Sequence, residues 1–210
     1  MMSNRQFALK RTFDITGAFF GLLLLWPVIA VCVIVAQLET GLSGIYSQNR
    51  IGQHGKNISV HKIRSMNTVP SKEDTNVTVD QDPRITRSGR LFRTFKLDEL
   101  PKLWNVLVGD MSFVGPRPDV PGYADKLEGS DRHLLLLRPG ITGPASIKYK
   151  NEEELLADSV NPIEFNDKVL YPDKVAINLV YLNSWSFFGD VDYILMTIGL
   201  KKPHAWLVSE

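Results

Sequence analysis

The stretch 15-ITGAFFGLLLLWPVIAVCVIVAQL-38 decides how the rest of this 210-residue chain is read. No charged residue lies between Asp14 and Glu39. About 20 apolar residues suffice to cross a bilayer once. A surface helix of a soluble domain carries a polar stripe, and this segment has none. It therefore belongs in a membrane. A secretory signal peptide does not fit: its apolar core is ~7–15 residues, and Val35-Ala36-Gln37 is a poor cleavage site.

Pro27 stands near the middle of the run. Proline removes a backbone donor and clashes with the carbonyl four residues back. Each half, at roughly 12 residues, is ~18 Å long as a helix. Neither half alone crosses a ~30 Å hydrocarbon core. The flanks are basic on both sides, with Arg5, Lys10 and Arg11 before the run and Arg50, Lys56, Lys62 and Arg64 after it. A single span calls for asymmetry of basic charge. The reading is therefore a re-entrant helix broken at Trp26-Pro27, with both ends on one face. A Pro-kinked single span is the alternative.

Outward from this anchor, residues 1–40 form the membrane segment and residues 41–210 a cytoplasmic domain at the membrane interface. The expected fold is α+β, mainly helical, with a small β-hairpin and interfacial amphipathic helices. Ile45–Ile51 and Ile58–Met66 read as the hairpin strands around the turn 52-GQHGKN-57. The polar stretch Asn67–Pro83 reads as a surface loop. Helices are expected over Ser88–Thr94, from Asp98 to Val108 with Gly109 closing it, and over Tyr123–Leu137. The segment 112-SFVGPRPDVPG-122 reads as irregular. Residues 151–159 read as an exposed acidic helix. A longer helix with Pro172 near its middle is expected over 165–182. The stretch 187–200 is amphipathic and suits either the core or the membrane interface.

Composition narrows the chemistry. The net charge of +1 hides a basic middle, Arg50–Lys102, and an acidic stretch, Glu152–Asp192. A basic middle suits an anionic partner: phosphate, nucleic acid or lipid headgroups. One cysteine, Cys32, excludes a disulfide framework within the chain. The four histidines stand at no metal-ligand spacing. No G-x-G-x-x-G or Walker A pattern is present. The triplets Asp80-Gln81-Asp82 and Asp190-Val191-Asp192 have the form that holds a divalent ion against a nucleotide, though triplets this short are common by chance.

Attention then falls on 93-RTFKLDELPKLW-104. Asp98 and Glu99 stand side by side behind Arg84, Arg87, Arg90, Arg93 and Lys96, which recur every third residue. The plain account is complete in itself: Asp98 caps a helix, Glu99 complements its dipole, and Pro101 occupies a first turn that tolerates it. The functional account uses the same geometry. A carboxylate kept ionised there can attack phosphorus, and a neighbouring Glu can share Mg²⁺. In 115-GPRPD-119, Arg117 sits between two prolines on a stiff tether suited to aiming a guanidinium at phosphate.

These motifs carry a family resemblance. The blocks 10-KRTFD-14, 48-QNRIG-52, 62-KIRSM-66, 82-DPRITRSGRLFRTFKLDELPKLWNVLVGDMSFVGPRP-118 and 138-RPGITG-143 occur in order. The chain resembles the bacterial sugar transferases, in their small monotopic polyprenyl-phosphate phosphoglycosyl transferase form. The resemblance implies transfer of a sugar phosphate from a nucleotide diphosphate sugar, usually a UDP-sugar, to undecaprenyl or a similar polyprenyl phosphate, with release of UMP. It implies Asp98 as the nucleophile that forms a covalent phosphosugar intermediate, and Glu99 as its partner on Mg²⁺. It carries Arg117, Arg93, Arg64 and Arg138 as substrate-binding candidates. The implied partners are the nucleotide sugar, the polyprenyl phosphate and membrane lipids, with no nucleic acid. The implied location is the bacterial inner membrane, with the catalytic domain on its cytoplasmic face. Two positions depart from the family pattern: Trp26-Pro27 stands where Ser-Pro is frequent, and Pro144 stands where many relatives have Trp. The rival functions are a D-x-D glycosyltransferase releasing UDP and a non-enzymatic membrane adaptor.

Overall fold

The computed structural model describes residues 2–67 and 82–207. The chain opens with helix α1, Asn4–Thr40, which is 37 residues long. Ser3 starts it through a capping box: its side chain accepts from the Gln6 amide, and the Gln6 side chain accepts from the Ser3 amide. Gly41 ends it in the left-handed region at φ 68°. Helical structure continues through Pro27, so the structure does not show the interruption expected at Trp26-Pro27. A helix can absorb proline's missing donor and its clash by bending while the surrounding turns persist.

One face of α1 is buried at Lys10, Asp14, Ala18, Cys32 and Ala36, residues spaced by whole helical turns. Phe19, Phe20, Leu23, Leu24, Trp26, Val31, Ile34 and Leu38 point away and are exposed. The buried face meets the following domain at both ends. Near its start, the Lys10 ammonium lies 2.6 Å from Asp190 and Asp14 accepts from Ser112 Oγ and the Phe113 amide. Near its end, Cys32 and Ala36 pack against Ile63 and Phe92, and Glu39 accepts from the Arg87 and Ser88 amides.

The hairpin forms as expected. Strands β1, Ile45–Ile51, and β2, Asn57–Ile63, pair antiparallel, with Ile45 opposite Ile63 and Ile51 opposite Asn57. Helix α2, Arg87–Thr94, follows with Thr86 as its N-cap. The next helix begins later than the sequence suggested: α3 runs Lys102–Val108 and ends at Gly109, φ 104°. Asp98 instead lies in a 3₁₀ turn, Leu97–Glu99. The segment read as irregular starts with a strand, β3, Ser112–Val114, which pairs in parallel with β4, Gly140–Thr142. Three residues are too few to show alternation, so this pair left no periodic trace.

The helix expected over Tyr123–Leu137 is instead two 3₁₀ segments, Ala124–Lys126 and Asp131–Leu136. Gly129, at φ 56°, separates them and breaks the run. Short helices α4, Pro144–Lys148, α5, Glu152–Ala157, and α6, Pro162–Phe165, come next. A π turn over Asn166–Leu170 leads into α7, Tyr171–Ser184. Pro172 thus lies near the middle of a continuous helical run, 162–184, as expected, and it stands at the boundary where the π turn gives way to α7. Helix α8, Phe187–Thr197, closes the domain. Its Asp190 is 1% exposed and joins three elements, accepting from Lys10, the Tyr181 hydroxyl at 2.6 Å and the Trp185 indole at 3.1 Å. Most of the loop expected over Asn67–Pro83 lies outside the described residues.

Candidate active site

The acid pair is placed by a chain reversal. Helix α2 ends at Thr94, and Lys96 takes a left-handed conformation at φ 56°. The chain then turns through Leu97–Glu99 and passes Pro101 into α3. Asp98 is therefore not a cap, and no side chain caps α3. Asp98 is 9% exposed, and its Oδ1 is buried with no hydrogen-bond partner. A buried polar atom without a partner costs on the order of 1–3 kcal/mol.

Two lysines complete the site. The Lys102 ammonium lies 3.0 Å from Glu99 Oε1, and Lys62, reaching in from β2, lies 3.9 Å from the same oxygen. Burial pushes Glu99 up, but Lys102 and Lys62 outweigh it and leave the carboxyl below its usual range. Asp98 moves the other way. Burial raises it, the Glu99 charge raises it further, and Lys62, Arg93 and Lys102 only partly offset this. The sequence account of an acid held ionised by a helix start is thus corrected: Asp98 is off the helix, and its surroundings favour its proton. Burial lowers Lys62 to about 8, with Lys102 adding to the effect. Burial also lowers Lys102, against the pull of Glu99.

The four arginines expected at the site are placed differently. Arg93 acts on Asp98 electrostatically while its guanidinium reaches Ser65 Oγ and Met66 Sδ, both at 3.1 Å. Arg117 is exposed on its Pro116–Pro118 tether and acts on Glu99, Lys62 and Lys102. Arg64 donates from Nε to the Ser43 carbonyl at 2.7 Å and lies over the Tyr46 ring. Arg138 donates from Nε to the Gly109 carbonyl at 2.8 Å, beside the α3 terminus that Arg11 also holds through the Val106 and Leu107 carbonyls. Neither Arg64 nor Arg138 is among the main charges acting on the acid pair.

Lys62 and Lys102 were not singled out as site residues from sequence. Lys102 had a local signal, since a residue three places after Glu99 on a helical path shares its face. Lys62 had none in the spacing, because a hairpin brings it in from 37 positions away. Beyond Arg117, Asp119 faces Lys174, Tyr171, Arg50 and Arg117, yet burial raises its carboxyl to about 6.

The acids of the triplet Asp190-Val191-Asp192 are engaged by other side chains. Asp190 is committed to Lys10, and Asp192 pairs with Lys201 at 2.7 Å. Asp80 and Gln81 lie outside the described residues, and Asp82 makes a bidentate pair with Arg84.

With this geometry in hand, the similarity to known proteins is specific. Residues 5–201 match the family described as bacterial sugar transferase. The chain belongs to the bacterial sugar transferase family. It is 32% identical to a UDP-galactose-lipid carrier transferase of Erwinia amylovora, over 94% of this chain and 42% of that protein. It is 33% identical to the UDP-glucose:undecaprenyl-phosphate glucose-1-phosphate transferase of Escherichia coli, over 90% of this chain and 39% of that protein. An uncharacterized sugar transferase of Bacillus subtilis matches at 32% over 90% of this chain and 85% of its own length. The chain thus spans about two fifths of the first two relatives.

Proposed function

We propose that this bacterial sugar transferase moves a sugar phosphate from a nucleotide diphosphate sugar to polyprenyl phosphate at a membrane surface. The observation that carries the proposal is Asp98: a buried carboxylate with an unpartnered oxygen, beside Glu99 and among Lys62, Lys102, Arg93 and Arg117. Burial strips water from a nucleophile, and the surrounding cations attract a diphosphate. The names of the relatives, which specify lipid-carrier and undecaprenyl-phosphate transfer, support the same substrates.

In the first step, an Asp98 oxygen bonds to the phosphorus that carries the sugar, and the bond from that phosphorus to the bridging diphosphate oxygen breaks. The nucleoside monophosphate leaves with that electron pair. In the second step, a phosphate oxygen of the polyprenyl phosphate bonds to the same phosphorus and the Asp98–phosphorus bond breaks, restoring the carboxylate. Arg117 and Arg93 bind and orient phosphate, and the prolines flanking Arg117 limit the entropy lost in doing so.

The residues fit Mg²⁺. The Asp98 oxygen lacks a partner, and Glu99 adds a second carboxylate. Mg²⁺ is often bound by one or two carboxylates plus substrate phosphates. When bound, Mg²⁺ would neutralise charge on the diphosphate.

Helix α1 supports anchoring from one side. Its two ends contact the same domain, while its apolar outer face is exposed between them. A helix threaded through the bilayer would put those two contacts on opposite sides. An anchor of this kind on the cytoplasmic face of the inner membrane would hold Asp98 near the lipid phosphate and open to a soluble nucleotide sugar.

The test is Asp98→Asn with a nucleotide sugar labelled in the transferred phosphate. Loss of UMP release and loss of label trapped on the protein are expected. Undiminished turnover removes Asp98 from the mechanism, and release of UDP in place of UMP excludes phosphosugar transfer.

A further inference from the structure

Glu99 is the meeting point of two ammonium groups, Lys102 buried and Lys62 partly exposed. Lys102 is the first residue of α3 and is 5% exposed. Its Nζ is 3.0 Å from Glu99 Oε1, and Lys62 Nζ approaches the same oxygen at 3.9 Å. Among the described residues, Glu99 is the one carboxylate within ion-pair distance of Lys102. A buried ammonium requires such a partner, since an unpaired charge in this environment is costly. A divalent ion placed on Glu99 would meet two positive charges at close range in a medium of low dielectric. The Oδ1 atom of Asp98 has no hydrogen-bond partner, although Lys62, Arg93 and Lys102 act on it from further away.

We propose that Lys102 is an internal competitor for the cation site, keeping Glu99 closed to a divalent ion until a diphosphate draws the ammonium away. The inference rests on the reading of Asp98 and Glu99 as the pair that holds Mg²⁺. A diphosphate supplies strong acceptors for Lys102 and Lys62. Glu99 then loses its ammonium partners as the negative charge of the site rises. Metal and nucleotide therefore bind cooperatively, each raising the affinity of the other by the same factor. Lys102 acts through Glu99 and is a positioning residue, and the free protein is guarded against idle occupancy by metal.

The experiment measures Mn²⁺ binding to the full chain in detergent, by paramagnetic resonance of the free ion, with melting curves recorded in parallel. Without nucleotide, Lys102→Gln should bind Mn²⁺ about tenfold tighter than the wild type, because one positive charge has been removed at contact range. Lys102→Arg keeps the charge and should bind as weakly as the wild type. Added UDP, with free Mn²⁺ corrected for chelation by the nucleotide, should bring the wild type to within about twofold of Lys102→Gln, since the diphosphate then holds the ammonium. Equal affinities of wild type and Lys102→Gln without nucleotide overturn the proposal and leave the metal reading intact. Absence of Mn²⁺ binding by every protein with UDP present overturns the metal reading and the proposal with it. If Lys102→Gln fails to fold, the wild type decides alone: an affinity for Mn²⁺ that UDP does not change overturns the competition.

Discussion

Replacing Asp119 with Asn should stabilise the protein, and more so at pH 7.5 than at pH 5. Asp119 follows the Pro116-Arg117-Pro118 tether and lies among Lys174, Tyr171, Arg50 and Arg117. These groups favour its ionised form, yet burial dominates and raises the carboxyl from 3.8 to about 6. A folded-state pKa above the unfolded value means that the folded protein binds the proton more tightly. The associated stability is fully present below the unfolded value and is lost as pH rises through the folded one. At one pKa unit per 1.36 kcal/mol, the whole loss is about 3 kcal/mol. About half of it falls between pH 5 and pH 7.5, because much of the difference has already accrued on the way from 3.8 to 5.

Asparagine has nearly the shape of aspartate and no proton to lose in this range. The gain in unfolding free energy from Asp119→Asn should therefore grow by about 1–1.5 kcal/mol between pH 5 and pH 7.5. Denaturant unfolding of wild type and variant at both pH values measures it. Other titrating groups are common to both proteins and cancel in the difference. A gain or loss that is the same at both pH values would refute the reasoning, whatever its sign, because a fixed difference reports altered hydrogen bonding and not a buried charge. A gain larger at pH 5 would mean that Lys174, Arg50 and Arg117 overcome burial.

Three further outcomes are expected. Lys10→Met, which leaves Asp190 charged and buried, should destabilise by about 3–5 kcal/mol, and a Lys10→Met/Asp190→Asn double variant should recover part of this in the same unfolding assay. Gly115→Ala should cost at least about 2 kcal/mol, since a Cβ there would stand 2.3 Å from the Arg138 carbonyl oxygen, which is backbone and cannot swing aside; an unchanged melting temperature would contradict the β3–β4 approach. Tags at the N-terminus and after Pro70 should be cleaved by protease from the same face of sealed vesicles, and protection of one tag alone would mean that α1 crosses the bilayer.

The elements that sequence reasoning located are those with a repeating or punctuated signal. The apolar run announced α1, and the glycine-bearing turn between two β-branched runs announced β1 and β2. Gly109 marked the end of α3, where the chain does turn left-handed at φ 104°. The misses share a cause, which is that tertiary contacts decided them. β3 and β4 are three residues each and exist because each finds the other. Tyr123–Leu137 has helix-forming residues but is interrupted at Gly129. At the site, the adjacent acids and Arg117 were legible because their neighbours in sequence are also their neighbours in space. Lys62 was not, because its closeness to Glu99 depends on the hairpin folding back.

The direction of the Asp98 shift shows why this matters for chemistry. Local reasoning put the acid on a helix start, where the dipole lowers a carboxyl. Three residues of displacement into a 3₁₀ turn remove that help and leave burial in charge. Ionisation of Asp98 must then be supported by side chains that arrive from elsewhere: Lys62 from β2, Arg93 from α2 and Lys102 from α3. Two of those also hold Glu99. Any event that moves the lysines, such as arrival of a diphosphate, therefore acts on both acids at once. Phosphate charge near Asp98 would raise it further unless a compensating cation came too. The burial that raises the Asp98 carboxyl would also keep water from competing with it for phosphorus.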